Sequence, residues 1–185
     1  MQEIIILGRG GQGAQTAGNQ LAKALFSTGY YVQTFSTYGG ARRGTPVTSS
    51  IRVDTQPIRQ RCNITNASAL MCFDDNLLDY DFLKLSGDEA LVVVNSSLST
   101  KELPALGNRK IFPIDGKAVA RRNNMGKVVN SALLGALVAV LDHPKLETMC
   151  AIIEETAPAK KQENVAACRE AYDIVTAPPA EKVLA

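Results

Sequence analysis

Apolar runs alternate with helical periodicities along this chain of 185 residues, and the alternation predicts its architecture. The first run, Ile4-Ile5-Ile6-Leu7, is short and rich in β-branched residues, which is typical of a buried strand. A helix is predicted next, ending at Gly29, because apolar residues then recur at helical spacing: Ala14, Ala17, Leu21 and Ala24. Residues 31–35 predict a second strand, so a strand–helix–strand unit opens the chain.

Residue type and the spacing of apolar positions predict four further strands. Residues 47–53 alternate between apolar and polar positions, which indicates a strand with one polar face near a sheet edge. Apolar runs predict three more strands, at 69–73, 90–94 and 110–114. The second of these is apolar throughout, as a central parallel strand should be, whereas Pro113 in the third favours an edge strand or a strand terminus.

The second half of the chain becomes helical. Helices are predicted at 117–124, 130–141, 146–156 and 160–175, after a shorter helix at 77–85. Residues 178–185 lack periodicity and are expected to form a loose tail. Strands that alternate with helices predict one α/β domain over residues 1–185: a three-layer αβα arrangement with a mostly parallel sheet and a Rossmann-like first βαβ unit.

A glycine-rich loop, Gly8-Arg9-Gly10-Gly11-Gln12-Gly13, joins the first strand to the first helix. The spacing Gly-x-Gly-x-x-Gly in this context is the dinucleotide-binding fingerprint. Glycines allow positive φ angles and let backbone N–H groups point into an open cup at the helix N-terminus. We therefore take the six loop residues, together with Thr16 in the first helical turn, as candidates for binding a ligand or cofactor or for contacting a partner subunit.

A second glycine-rich turn follows the second strand and supplies further candidates: Tyr38, Gly39, Gly40, Arg42, Arg43 and Gly44. No acid occurs between Glu3 and Asp54, so the residue that binds the NAD ribose is missing and NAD is disfavoured. NADP stays open, because Arg42 or Arg43 could meet a 2′-phosphate. The two turns are expected to lie together at one edge of the sheet as an electropositive crevice.

Arginines are concentrated just beyond this turn. Between residues 42 and 61 there is one acid, Asp54, and five arginines: Arg42, Arg43, Arg52, Arg59 and Arg61. The guanidinium fork suits both carboxylates and phosphates. Two interpretations of what these arginines bind remain open. The first is that they bind carboxylates of the fold or of a partner subunit, and the second is that they bind a phosphate-bearing ligand.

Other reactive residue types give weaker signals. Asp74 and Asp75 follow the strand predicted at 69–73. They are interpreted either as a divalent-metal site or, in the interpretation that we prefer, as the cap of the next helix. The four cysteines contain no C-x-x-C pair, so no iron–sulfur cluster is predicted on this chain, and three of them are expected in the core. His143 is the sole histidine, and no metal site is predicted.

Composition narrows the class of partner. The net charge of +2 provides no overall field that would favour nucleic acid or an anionic membrane. The longest apolar stretch, 132–141, is too short to span a bilayer. The chain enters a strand directly, without a basic region or cleavage site, so we expect a cytoplasmic protein with neither nucleic acid nor membrane as a partner.

Two sequence blocks together resemble a known family. GRGGQGAQT after the first strand and TYGGARRGTPVTSSIRV after the second are similar to the gamma subunit of 2-oxoacid:ferredoxin oxidoreductases. The similarity extends to the helix at 130–141 and through most of the chain. One departure is Gly40-Ala41, which stands where many members carry a Pro-Glu pair.

The resemblance implies a non-catalytic subunit of a complex that oxidatively decarboxylates a 2-oxoacid, transfers the acyl group to coenzyme A and passes electrons to ferredoxin. It places thiamine diphosphate, Mg²⁺ and iron–sulfur clusters on other subunits of the complex. The expected partners are alpha and beta subunits, with a ferredoxin-like delta subunit as a further candidate. This chain is expected to complete the active-site wall and to help seat coenzyme A. The alternatives are a stand-alone NADP-dependent oxidoreductase and a pure interaction module.

Overall fold

The fold is a six-stranded sheet with helices on both faces, seen in a computed structural model that describes residues 1–39, 44–78, 80–103 and 107–177. The strands are β1 (Gln2–Arg9), β2 (Tyr31–Tyr38), β3 (Pro46–Asp54), β4 (Ala67–Cys72), β5 (Ser86–Asn95) and β6 (Lys110–Ile114). The helices are α1 (Ala14–Ser27), α2 (Tyr80–Leu83), α3 (Gly116–Arg122), α4 (Asn130–Val140), α5 (Leu146–Thr156) and α6 (Lys161–Thr176), with a 3-10 helix at Asp75–Leu77. The predicted α/β class is confirmed.

The strand order is β2-β3-β1-β4-β5-β6. Parallel pairing joins β1, β4, β5 and β6, whereas β3 runs antiparallel to both of its neighbours. One strand therefore opposes the other five, and the predicted mostly parallel sheet is confirmed. β3 lies between β1 and β2, so the first βαβ unit is split. The turn between β2 and β3 is short enough for a hairpin but not for a parallel crossover, which forces the antiparallel pairing.

The two faces of the sheet are covered unequally. Ile4 and Ile6 of β1 face the layer formed by α1, α3, α4, α5 and α6, while Ile5 and Leu7 face the opposite side. That side is covered by the 3-10 helix, by α2 and by an extended arm, residues 55–66, which contributes Ile64. The αβα arrangement thus has one thick helical layer and one thin one.

Some predicted elements differ in detail. The helix predicted at 77–85 is divided into the 3-10 helix and the four-residue α2, because Leu77, Leu78 and Phe82 all pack into the sheet rather than along one helical face. β6 with Pro113 forms an edge, as predicted. The predicted tail at 178–185 lies outside the described residues. Among those described, no helix combines the length and apolar character needed to cross a membrane.

Candidate functional site

A cleft of about 1340 Å³ opens at the carboxyl ends of the parallel strands. It is lined by Gly11, Gln12, Gly13 and Thr16 and by segments that follow the other parallel strands or join helices: 73–76, 95–97, 125–131 and 157–160. Parallel α/β sheets bind their ligands at this edge. The cleft therefore includes four of the predicted site residues and several that the sequence did not indicate.

The glycine-rich loop is closed by one of its own side chains. The Gln12 N–H donates to the Arg9 carbonyl at 2.9 Å, and Gly11 between them has a φ of 93°. A positive φ at this point of a tight turn favours glycine. The Arg9 N–H donates in turn to Gln12 Oε1 at 2.6 Å. Gln12 thus fixes the loop conformation.

Gly13 is the contact point between the loop and α4. It precedes α1 with a φ of 95°, and Asn130 Nδ2 donates to its carbonyl at 3.1 Å. A Cβ atom at Gly13 would lie 2.1 Å from Asn130 Nδ2. Among the described residues no side chain caps α1, so the N–H groups of its first turn remain available as donors beside the cleft, which Gly13 and Thr16 line. The third glycine is therefore required both for φ and for the approach of α4.

The other two fingerprint glycines have packing roles. A Cβ at Gly8 would lie 3.1 Å from Ala14 Cβ, which shows how closely α1 returns to β1. The Gly10 N–H donates to the Thr45 carbonyl at 2.9 Å and thereby links the loop to the start of β3.

The described residues of the second glycine-rich turn contact α1 and the start of β3. Tyr38 Oη donates to Gln15 Oε1 at 2.7 Å, and the Gly39 N–H donates to the Pro46 carbonyl at 2.9 Å. Gly44 has a φ of 90°. None of Tyr38, Gly39 and Gly44 lines the cleft. Gly40, Arg42 and Arg43 lie outside the described residues, so their proximity to the first loop stays a prediction.

The position of β3 also bears on dinucleotide binding. In the dinucleotide-binding fold, the ribose-reading residue stands at the end of the parallel strand beside the first strand. Here the strand that follows α1 is β2, and β3 separates it from β1. The end of β2 is thus separated from β1 by one strand, unlike the arrangement of the dinucleotide-binding fold. Arg42 and Arg43, on which the NADP interpretation rests, lie outside the described residues.

The acids of the cleft are engaged in the fold. Asp74 caps the 3-10 helix by accepting from the Asn76 N–H, and it also accepts from Arg9 Nε at 3.3 Å. Burial raises the pKa of Asp74, but hydrogen bonds from Asn76 and the Arg9 guanidinium outweigh this and hold that pKa below its ordinary value. Asp75 accepts from Ser96 Oγ at 2.5 Å, and Asp115 caps α3. The predicted capping role of Asp74 is confirmed, and the described residues contain no group of three His, Cys, Asp or Glu that could hold a metal ion.

Positively charged side chains line the wall of the cleft opposite these acids. Lys117 and Arg121 of α3, together with Lys127 in the next loop, are exposed and line the cleft. None of these three forms an ion pair with a carboxylate of the described chain. These three cations therefore offer charge-assisted hydrogen-bond donors to an anionic ligand.

Two asparagines that the sequence did not single out organise the cleft. Asn130 anchors α4 to the loop. Asn95, at the end of β5, donates to the Phe73 carbonyl and accepts from the Gly116 N–H, each at 3.0 Å. Asn95 could have been found from the sequence, because it is a polar residue directly after an apolar strand. No feature of the neighbouring sequence indicates a role for Asn130 or for the three cations.

The three described arginines of the cluster, Arg52, Arg59 and Arg61, do not line the cleft. Arg52 is 1% exposed and bonds to Glu3 and to the Cys62 carbonyl, so it supports the interpretation that carboxylates of the fold are its partners. Arg59 and Arg61 are exposed on the arm. Of the cysteines, Cys72, Cys150 and Cys168 are buried, as predicted, and Cys62 is exposed.

Known proteins share both the sequence and the fold. A profile of the family described as "Pyruvate ferredoxin/flavodoxin oxidoreductase" matches residues 3–174. The chain is 37% identical over 175 residues to pyruvate synthase subunit PorC of Methanothermobacter thermautotrophicus, covering 94% of this chain and 95% of that protein. It is 38% identical over 178 residues to the common subunit gamma of the pyruvate/ketoisovalerate oxidoreductases of Pyrococcus furiosus, covering 94% and 96%. The crystal structure of pyruvate oxidoreductase subunit PORC from Thermotoga maritima superposes with a TM-score of 0.82 at 28% identity, covering 93% of this chain and 95% of that one.

Proposed function

The chain belongs to the pyruvate ferredoxin/flavodoxin oxidoreductase family as a gamma-type subunit of a 2-oxoacid oxidoreductase complex, and we propose that its cleft forms part of the active-site wall and helps to seat coenzyme A. The family resemblance predicted from the two glycine-rich blocks is thereby confirmed. Family membership is established by the comparisons, whereas the role of the cleft in binding coenzyme A is our proposal.

The unneutralised cations of the cleft are the observation that carries this proposal. Coenzyme A has a diphosphate and a 3′-phosphate, which need donors at two places. The uncapped first turn of α1 offers backbone N–H groups. Lys117, Arg121 and Lys127 offer positive charge across the same cleft. A phosphate-bearing ligand would therefore meet complementary groups on both walls.

The remaining partners and cofactors are assigned to other chains of the complex. In this proposal, other subunits hold thiamine diphosphate, Mg²⁺ and iron–sulfur clusters. The partners are alpha and beta subunits, with a ferredoxin-like delta subunit as a further candidate, and ferredoxin accepts the electrons. We also place the complex in the cytoplasm, because all four cysteines are free thiols, as is usual in a reducing compartment. The chain serves any of several 2-oxoacids equally well in this scheme, since substrate choice would rest with the alpha and beta subunits.

The test uses the assembled complex with Arg121→Ala and Lys127→Ala in this chain. Each variant should raise the KM for coenzyme A about threefold to tenfold and leave kcat at saturating coenzyme A unchanged, because one charge-assisted contact contributes about 1 kcal/mol or more. The double variant Arg42→Ala/Arg43→Ala tests, in the same assay, whether the second glycine-rich turn contributes to binding of coenzyme A. Lys145→Ala, an exposed lysine outside the cleft, is the control. An unchanged KM in all of these intact complexes would remove coenzyme A from this cleft.

A further inference from the structure

One edge of the sheet has none of the features that normally protect an exposed strand. β2 spans eight residues, Tyr31–Tyr38, contains no charged residue and no proline, and pairs with β3 in unbroken register. The opposite edge, β6, is five residues long and carries Lys110 and Pro113. Short length, charges, proline and bulges are the usual means of preventing edge pairing. β6 is protected in this way and β2 is not.

The hydrogen-bonding phase of β2 identifies the backbone groups that face outward. The Gly39 N–H donates to the Pro46 carbonyl, so residue 39 is a hydrogen-bonded partner of β3. Hydrogen-bonded positions alternate along an antiparallel pair. The odd-numbered residues of β2 therefore bond to β3. The even-numbered residues, Val32, Thr34, Ser36 and Tyr38, direct their N–H and C=O groups away from the sheet, where the described chain places no further strand.

Exposed aromatic side chains flank this edge. Tyr31 and Tyr38, at the two ends of β2, are 49% and 55% exposed. α1 lies alongside, since Tyr38 Oη donates to Gln15 of that helix. Phe26 follows Gln15 by about three helical turns, so it lies on the same side of α1, and it is 69% exposed. The edge thus combines unpaired backbone groups with an exposed aromatic border.

We propose that β2 pairs antiparallel with β2 of a second copy of this chain, across a two-fold axis perpendicular to the sheet. An axis beside Phe35 places Val32 opposite Tyr38 and Thr34 opposite Ser36 of the second copy. All four outward-facing residues of each strand are then paired. Each of the two strands donates four N–H groups, so eight backbone hydrogen bonds form. The two six-stranded sheets become one continuous sheet of twelve strands.

The chemistry of β2 favours its own copy as the occupant. In a self-paired antiparallel strand, any charged residue would face residues of the same sequence, and like charges opposite each other destabilise a sheet. β2 has no charge to create such a conflict. The proposed axis instead brings together Phe35 with Phe35 and Thr34 with Ser36, which are aromatic and hydroxyl pairs of the kind that stabilise cross-strand contacts.

Sedimentation equilibrium of the purified full chain tests the dimer. The wild-type chain should dimerise reversibly, and Thr34→Pro should raise the dimer dissociation constant at least tenfold. Proline at residue 34 removes an outward N–H without affecting the bonds to β3, so the far-ultraviolet spectrum and melting temperature should stay close to wild type. Thr34→Lys should weaken the dimer by charge repulsion. Val128→Lys, at another exposed apolar residue, should leave the dimer intact.

Disulfide trapping tests the register. In a Cys62→Ser background, a mixture of Thr34→Cys and Ser36→Cys chains should form a covalent dimer on mild oxidation. Either variant alone should form much less, because the proposed register does not place identical residues at 34 or 36 opposite each other. A chain that is monomeric at all concentrations, or a dimer that Thr34→Pro does not weaken, would overturn the proposal and assign this edge to a strand of another subunit. Neither result would alter the KM test for coenzyme A.

Discussion

Arg52 Nε donates to Glu3 Oε1 at 2.7 Å, and this ion pair ties β3 to β1 beneath the arm. Arg52 also donates to Gln33 Oε1 of β2 at 3.1 Å and to the Cys62 carbonyl of the arm at 2.8 Å. Its guanidinium lies 5.7 Å from the centre of the Phe35 ring. A single buried cation thus connects three adjacent strands and the segment that covers them.

Removing the Arg52 guanidinium should be costly. Arg52→Met leaves the Glu3 carboxylate, whose side chain is 18% exposed, without its donor, and breaking one side of such a buried pair costs about 3 kcal/mol. The expected result is that loss in the free energy of unfolding, measured by urea denaturation. Arg59→Met, an exposed arginine on the arm, should change it by less than about 0.5 kcal/mol. Similar values for the two variants would show that the Arg52 network contributes little.

Arg52 also shows where sequence reasoning reached its limit. The alternation over residues 47–53 correctly placed Arg52 on the polar face of a strand. It did not show that the arm covers that face, because the arm has no period of its own and its position depends on contacts distant in sequence. Continuously apolar segments such as α4 and β5 were predicted from their own residues, although β5 begins at Ser86, four residues before the predicted strand.

The same distinction applies to the order of strands and to the cleft. The sequence predicted β1, β2 and β3 individually, but strand pairing is a relation between segments, and the insertion of β3 between the other two was not anticipated. The glycine-rich loop was found because its constraints are local. Asn130 contacts the loop and Lys127 lines its cleft, but both follow the loop by more than a hundred positions in the sequence. No residue spacing near the loop could therefore reveal them.

Gly13 offers a test of this long-range contact. Gly13→Ala and Gly29→Ala both force alanine into a positive φ, of 95° and 91°, which costs about 1 kcal/mol each. At Gly29 a Cβ has no neighbour within 4 Å, whereas at Gly13 it meets Asn130. Gly13→Ala should therefore lower the melting temperature more, and the added Asn130→Ala change should recover part of the difference. Equal effects at the two glycines would contradict the close contact between α4 and the loop.

Two buried serines should respond oppositely to loss of the hydroxyl. Ser49 Oγ is buried without a hydrogen-bond partner in the described chain, while Ser131 Oγ donates to Asn164 Oδ1 at 2.7 Å. Ser49→Ala should leave the free energy of unfolding unchanged or raise it by up to about 1 kcal/mol, because an unsatisfied polar group is removed. Ser131→Ala should lower it by about 1–2 kcal/mol. Denaturant titration of both variants decides this, and destabilisation by Ser49→Ala would indicate an unrecognised partner for that hydroxyl.

Acid should weaken the fold partly through Asp74. Its pKa in the folded chain is below the ordinary value of 3.8, so its contribution to stability is complete above about pH 5 and is lost as the pH falls through the folded value. Asp74→Asn should be less stable than wild type at pH 7, and the difference should shrink between pH 4 and pH 2.5. Unfolding curves at pH 7, 4 and 2.5 measure it, with the exposed Asp142→Asn as a control. A difference that stays constant over this range would show that the Asp74 charge does not stabilise the cap and the contact with Arg9.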